Sequence, residues 1–175
     1  SNDSGFAVRF NRAIDRSDIN LYDAADYGYG APDVSLTDSS GKRISGSIVL
    51  DADARGFTFL KTGGPLAAGS YSVRLESRAD AFTDTQRRRL DGNNDGSNGD
   101  AYTTIFTVAS SVTSATLLSI GEIARGPGQA LYLPTTSTHL PITISNGLGA
   151  TQVSFTLDYD PGLLNITDLT STLGT

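Results

Sequence analysis

Cysteine, methionine and tryptophan are absent from the 175 residues, and histidine occurs once. Without cysteine there is no disulfide framework, no thiolate metal site and no thiol nucleophile. The single histidine, His139, stands beside Leu140 and Pro141 with no serine motif around it, so a nucleophile–base–carboxylate triad has no anchor. Zinc would need mostly carboxylate ligands, which is uncommon in structural sites. No apolar run approaches the roughly 18 residues that span a bilayer. No glycine-rich loop sits between a strand and a helix, where phosphates are cradled. Positive charge is in deficit: 13 Lys and Arg against 19 Asp and Glu give a net charge of −6. That balance disfavours nucleic acid and anionic membranes as partners. No secretory leader is visible, and Ser1-Asn2-Asp3 runs straight into polar sequence, so an excised piece or a mature segment is expected.

What the chain has is glycine (19 residues), abundant Ser, Thr, Asp and Asn, and apolar residues (38%) spread in short runs. This composition predicts an all-β protein with frequent turns. In Phe6-Ala-Val-Arg-Phe10, Phe6, Val8 and Phe10 share one face, the period of a half-buried strand. Further strands are predicted at 34–38, 44–50, 57–60, 71–76 and 102–108, with a short capped turn near Asp15 and Ser17. Strands recurring every 8–12 residues between turn signals argue for a sandwich. A second block contributes apolar alternation at 115–120, at Leu140, Ile142 and Ile144, and at Val153, Phe155, Leu157 and Tyr159. The expected organisation is two β-rich units, 1–108 and 109–175, the second stopping after three or four strands and hence truncated.

The densest chemical signal is Leu90-Asp-Gly-Asn-Asn-Asp-Gly-Ser-Asn-Gly-Asp100. Asp91, Asn93 and Asp95 occupy loop positions 1, 3 and 5, Gly96 position 6 and Asp100 position 10. Calcium takes several oxygen ligands, and alternating acidic and amide side chains on a sharply turning loop supply them. Gly96 permits the reversal that turns the Ser97 carbonyl toward the ion. The loop is shorter than an EF-hand and lacks its closing bidentate Glu, so it is not one. Asp80 and Asp84, on the same connection, are candidates to complete the shell. The competing reading is a polar turn without metal, because the same residues dominate ordinary turns.

Residues 5–108 resemble a bacterial Ig-like domain of the kind found in surface-layer and adhesive proteins. The resemblance rests on Val8-Arg-Phe-Asn-Arg-Ala-Ile-Asp15, on Pro65-Leu-Ala-Ala-Gly-Ser-Tyr-Ser-Val73, and on Asp84 through Leu90-Asp91-Gly92. Residues 115–170 resemble the opening half of a cohesin-type, jelly-roll-like sandwich, carried by Leu140-Pro-Ile-Thr-Ile-Ser-Asn146 and by Val153-Ser-Phe-Thr-Leu-Asp-Tyr-Asp-Pro-Gly-Leu-Leu-Asn165. The resemblance implies a non-enzymatic, extracellular or cell-surface module of an exported bacterial protein, serving adhesion, scaffolding or spacing. It implies other modules of the same parent chain, or a surface protein, as partners, and self-association through the incomplete second unit. The cohesin likeness also implies dockerin-like partners. Fold alone does not give function.

Other constellations are weaker. Arg87-Arg-Arg89 suits an acidic partner or glycan, but more simply neutralises nearby acids. Asp158 and Asp160 flank Tyr159 without signs of a cleft, so a glycosidase pair is not expected. Tyr22, Tyr27 and Tyr29, interleaved with glycine, are a candidate sugar platform for an accessory carbohydrate-binding region of a secreted hydrolase, although packing under the loop is the simpler role.

Overall fold

A computed structural model describes residues 4–22, 30–63, 65–110, 116–120, 124, 126, 140, 142–145, 147 and 149–169. Tyr27, Tyr29, His139 and most of the expected junction at 109–115 lie outside the described residues. The described part is all-β. Its strands are β1 (Gly5–Arg9), β2 (Val34–Asp38), β3 (Arg43–Ile44), β4 (Gly46–Leu50), β5 (Gly56–Lys61), β6 (Gly69–Leu75), β7 (Tyr102–Val108), β8 (Leu117–Ile120) and β9 (Ile142–Ser145). Among the described residues the only helical element is a single 3-10 turn, Arg16–Asp18, where the Asp15 carboxylate accepts the Ser17 amide at 3.0 Å. No helix there is long and apolar enough to cross a membrane.

The strands form three antiparallel sheets, ordered β1-β5-β4, β3-β2-β6-β7 and β8-β9. Register explains the core. In the first sheet Phe6, Phe59 and Ile48 are paired across the strands, as are Val8, Phe57 and Leu50. In the second, Leu36 pairs Val73, Val34 pairs Leu75, and Tyr71 pairs Phe106. Side chains alternate across a strand, so each row presents one face, and these two faces share one buried cluster. Phe57 is fully buried at its centre. Its ring stacks on Phe82 at 5.5 Å and meets Phe6 and Phe10 at 6.3 and 6.1 Å.

The run expected as one strand at 44–50 divides between sheets: β3 pairs β2, whereas β4 pairs β5. Gly46 begins β4 where the Phe59 ring leaves no space for a side chain, a Cβ falling 2.2 Å from its Cζ. The alternation at 151–159 does not form a strand. Val153, Phe155, Leu157 and Tyr159 are 37–52% exposed, and among the described residues no neighbouring strand supplies backbone partners there.

Two polar interactions brace the sandwich. The Tyr71 hydroxyl donates to the Ala67 carbonyl at 2.8 Å, tying the start of β6 to the preceding corner. Removing that hydroxyl in Tyr71→Phe is expected to cost about 1 kcal/mol, read as a lowered urea midpoint with an unchanged slope; an unchanged midpoint would leave the corner bond without weight. Asp33, 1% exposed, accepts from the Asn20 amide at 2.7 Å and from Arg78 at 2.7 Å.

Candidate metal centre

The 91–100 loop hangs between the 82–90 excursion and β7. Its ends are drawn together where Gly92 donates to the Asp100 carbonyl at 3.1 Å and Gly99 to the Leu90 carbonyl at 2.9 Å. Gly92 is required by this closure, since a Cβ would lie 2.3 Å from the Ala101 carbonyl carbon. Gly96 adopts φ +90°, the reversal expected of it, and Asn94 also takes a positive φ, of 60°.

Within this frame the chain's own amides order the oxygen side chains. Asp91 accepts the Asp95 amide at 3.2 Å on one oxygen and the Gly96 amide at 3.0 Å on the other. Asn93 accepts the Asp95 amide at 2.9 Å. Asp95 accepts the Ser97 amide at 2.7 Å and the Asn93 side-chain amide at 3.2 Å. The Ser97 hydrogen bond, then Asn93, hold the Asp95 carboxyl below its ordinary value, so it stays ionised into more acidic solution.

The folded loop thus brings Asp91, Asp95 and Asp100 together, one carboxylate oxygen from each lying within 4.8 Å of the others. Ligands sharing a calcium ion at about 2.3–2.6 Å sit no more than about 5 Å apart. The decisive atom is Asp100 Oδ2, which is buried and has no hydrogen-bond partner among the described residues. An unpartnered buried carboxylate oxygen is costly, and a cation within this set would satisfy it.

Asp80 and Asp84 are not brought to the cluster. Asp80 pairs with Arg78 at 3.0 Å. Asp84 accepts the Gln86 and Arg88 amides and is bound by the Arg88 guanidinium at 2.7 Å. Burial would raise the Asp84 carboxyl, but these hydrogen bonds outweigh it and the net shift is downward. The three arginines largely do the neutralising work expected of them. Arg87 bridges Asp18 and Asp15, Arg88 holds Asp84, and Arg89 lies across the loop at Gly99. Tyr22 forms an isolated bridge to Ser47. The loop residues that spacing did not single out, Gly92 and Asn94, set backbone geometry; their signal is the crowding of Gly and Asn itself.

No protein-family model matches the chain, and no curated protein matches it in sequence.

Proposed function

We propose that residues 1–108 are a calcium-stiffened Ig-like module of an exported bacterial surface or secreted protein, a non-enzymatic unit of adhesion, scaffolding or spacing. The observation that carries the calcium assignment is Asp100 Oδ2, buried and unpartnered beside two further carboxylates. Bound calcium ligates Asp91, Asp95 and Asp100, with Asn93 and the Ser97 carbonyl as further oxygen donors. It cancels the mutual repulsion of three carboxylates and fixes the loop that feeds β7.

The strand order supports the Ig-like assignment. Orders β1-β5-β4 and β3-β2-β6-β7 correspond to B-E-D and C′-C-F-G of an immunoglobulin sandwich. Tyr71 at the start of the F-equivalent strand, bonding back to Ala67, matches the tyrosine corner of that fold. The β8-β9 pair and the exposed apolar residues at 153–159 support reading 109–175 as a cohesin-like unit whose faces another strand layer covers. Dockerin-like partners and extracellular placement follow from that reading.

The test is thermal unfolding. Calcium is expected to raise the melting temperature and a chelator to reverse the rise. At a free concentration of 100 times Kd the gain is about 2.7 kcal/mol. Asp95→Ala is expected to abolish the response while folding in chelator as the parent does. A melting curve indifferent to calcium would sink the assignment.

A further inference from the structure

Beside the calcium loop lies an open cleft of about 350 Å³, the size of a small-ligand site. Its walls come from the segment after β1 (Asn11 and Arg12), from Arg88 and Arg89, and from loop residues Asn94 and Asn98. Phe10, half-buried, contributes an apolar surface at its edge. The arginines differ in their state. Arg88 is held by Asp84 at 2.7 Å. Arg12 reaches Asp84 only at 3.7 Å. The Arg89 guanidinium has no hydrogen bond or ion pair among the described residues. The Arg89 guanidinium is therefore available to an anion, with Arg12 beside it in the wall on only a long contact with Asp84, and a guanidinium fork matches a planar carboxylate. The Asn11, Asn94 and Asn98 amides each offer donors and an acceptor, the complement of vicinal hydroxyls.

We propose that this cleft binds an acidic saccharide, a uronic-acid unit of a polyanionic glycan, and that calcium strengthens the binding. The carboxylate lies on Arg89 and Arg12, the hydroxyls on the asparagine amides, and the ring against Phe10. The calcium dependence rests on the metal assignment above, because Asp91 belongs both to the carboxylate cluster and to the cleft wall. Without calcium, the Asp91 carboxylate in the cleft wall repels an incoming anion. With calcium, that charge is cancelled while Arg89 stays free and Arg12 keeps only its long contact with Asp84. By linkage, saccharide and calcium raise each other's affinity by the same factor.

The experiment titrates a uronic-acid trisaccharide, the matched neutral hexose trisaccharide and inorganic sulfate into the whole chain, with calcium and with chelator. The uronate is expected to bind, about fivefold or more tightly with calcium, and the neutral sugar not to bind. Arg89→Gln is expected to weaken uronate binding about tenfold or more while keeping the calcium-induced rise in melting temperature, which shows that the variant folds. Neutral sugar binding as tightly as uronate, sulfate binding more tightly than uronate, or an Arg89→Gln variant with unchanged affinity overturns the saccharide site. Arginine-dependent uronate binding in a protein that calcium does not stabilise overturns the metal assignment and the coupling, and leaves the anion site standing.

Discussion

Phe57→Ala is expected to cost about 3–5 kcal/mol and to leave little folded protein at 37 °C. Phe57 is fully buried, paired with Val8 on β1 and Leu50 on β4, and ringed by Phe6, Phe10 and Phe82. Truncation removes the transfer free energy of the ring and leaves a cavity between two sheets. The sheets collapse into it only in part, because the other packed core side chains still hold them apart. The surrounding aromatic contacts contribute further, each edge or stacked pair being worth about 0.5–1.5 kcal/mol beyond area. Chemical denaturation reads the loss directly. A cost below about 1 kcal/mol would mean that the two sheets do not share this core.

Arg78→Ala is expected to approach the same size by a different route. Asp33 is buried where the chain enters β2, and Arg78 is its cationic partner. Arg78 also donates to the Ala31 and Pro32 carbonyls, so one side chain clamps the segment in front of the strand. Removing one partner of a buried pair typically costs about 3–5 kcal/mol, since the other charge is left desolvated. The pH dependence identifies the cause. Burial pushes the Asp33 carboxyl up to about 6, against the opposing pull of the Asn20 amide and Arg78. A raised carboxyl means that the folded state holds the proton more tightly than the unfolded state. This group therefore favours folding below about pH 4 and loses that contribution as pH rises to about 6. Without Arg78 the carboxyl rises further. The cost of Arg78→Ala should then be larger at about pH 8 than at about pH 5, where Asp33 is mostly neutral already. Comparing variant with parent at each pH cancels the opposite slope from carboxyls held below their usual values, such as Asp15, Asp38 and Asp53. Equal costs at both pH values would contradict the buried-charge account.

Periodicity made most of the sandwich legible. The alternations at 34–38 and 102–108 are β2 and β7 as expected, and Phe6 heads the core row. Local pattern does not show which sheet a strand joins, so the split of 44–50 at Gly46 was hidden in a run that reads as continuous. The alternation at 151–159 shows the converse: period 2 marks a capacity for pairing, and strand formation also needs a neighbour. At the candidate site, spacing found the three carboxylates that fold together, because their relation is local. It could not assign Asp80 and Asp84, whose oxygens are taken by arginines on the same connection. Nor could it reveal Asp33 with Arg78, 45 residues apart, or the orphaned Asp100 oxygen, which burial creates.

The measurement closest to the central claim is a calorimetric titration of calcium into the chain and into Asp100→Asn. The parent should bind one ion, read as a saturable heat of binding with a one-to-one stoichiometry. Asp100→Asn, which removes the charge while keeping the side-chain shape, should lose at least most of that affinity yet melt like the metal-free parent. No binding by the parent, or equal binding by the variant, would contradict a calcium centre built on Asp91, Asp95 and Asp100.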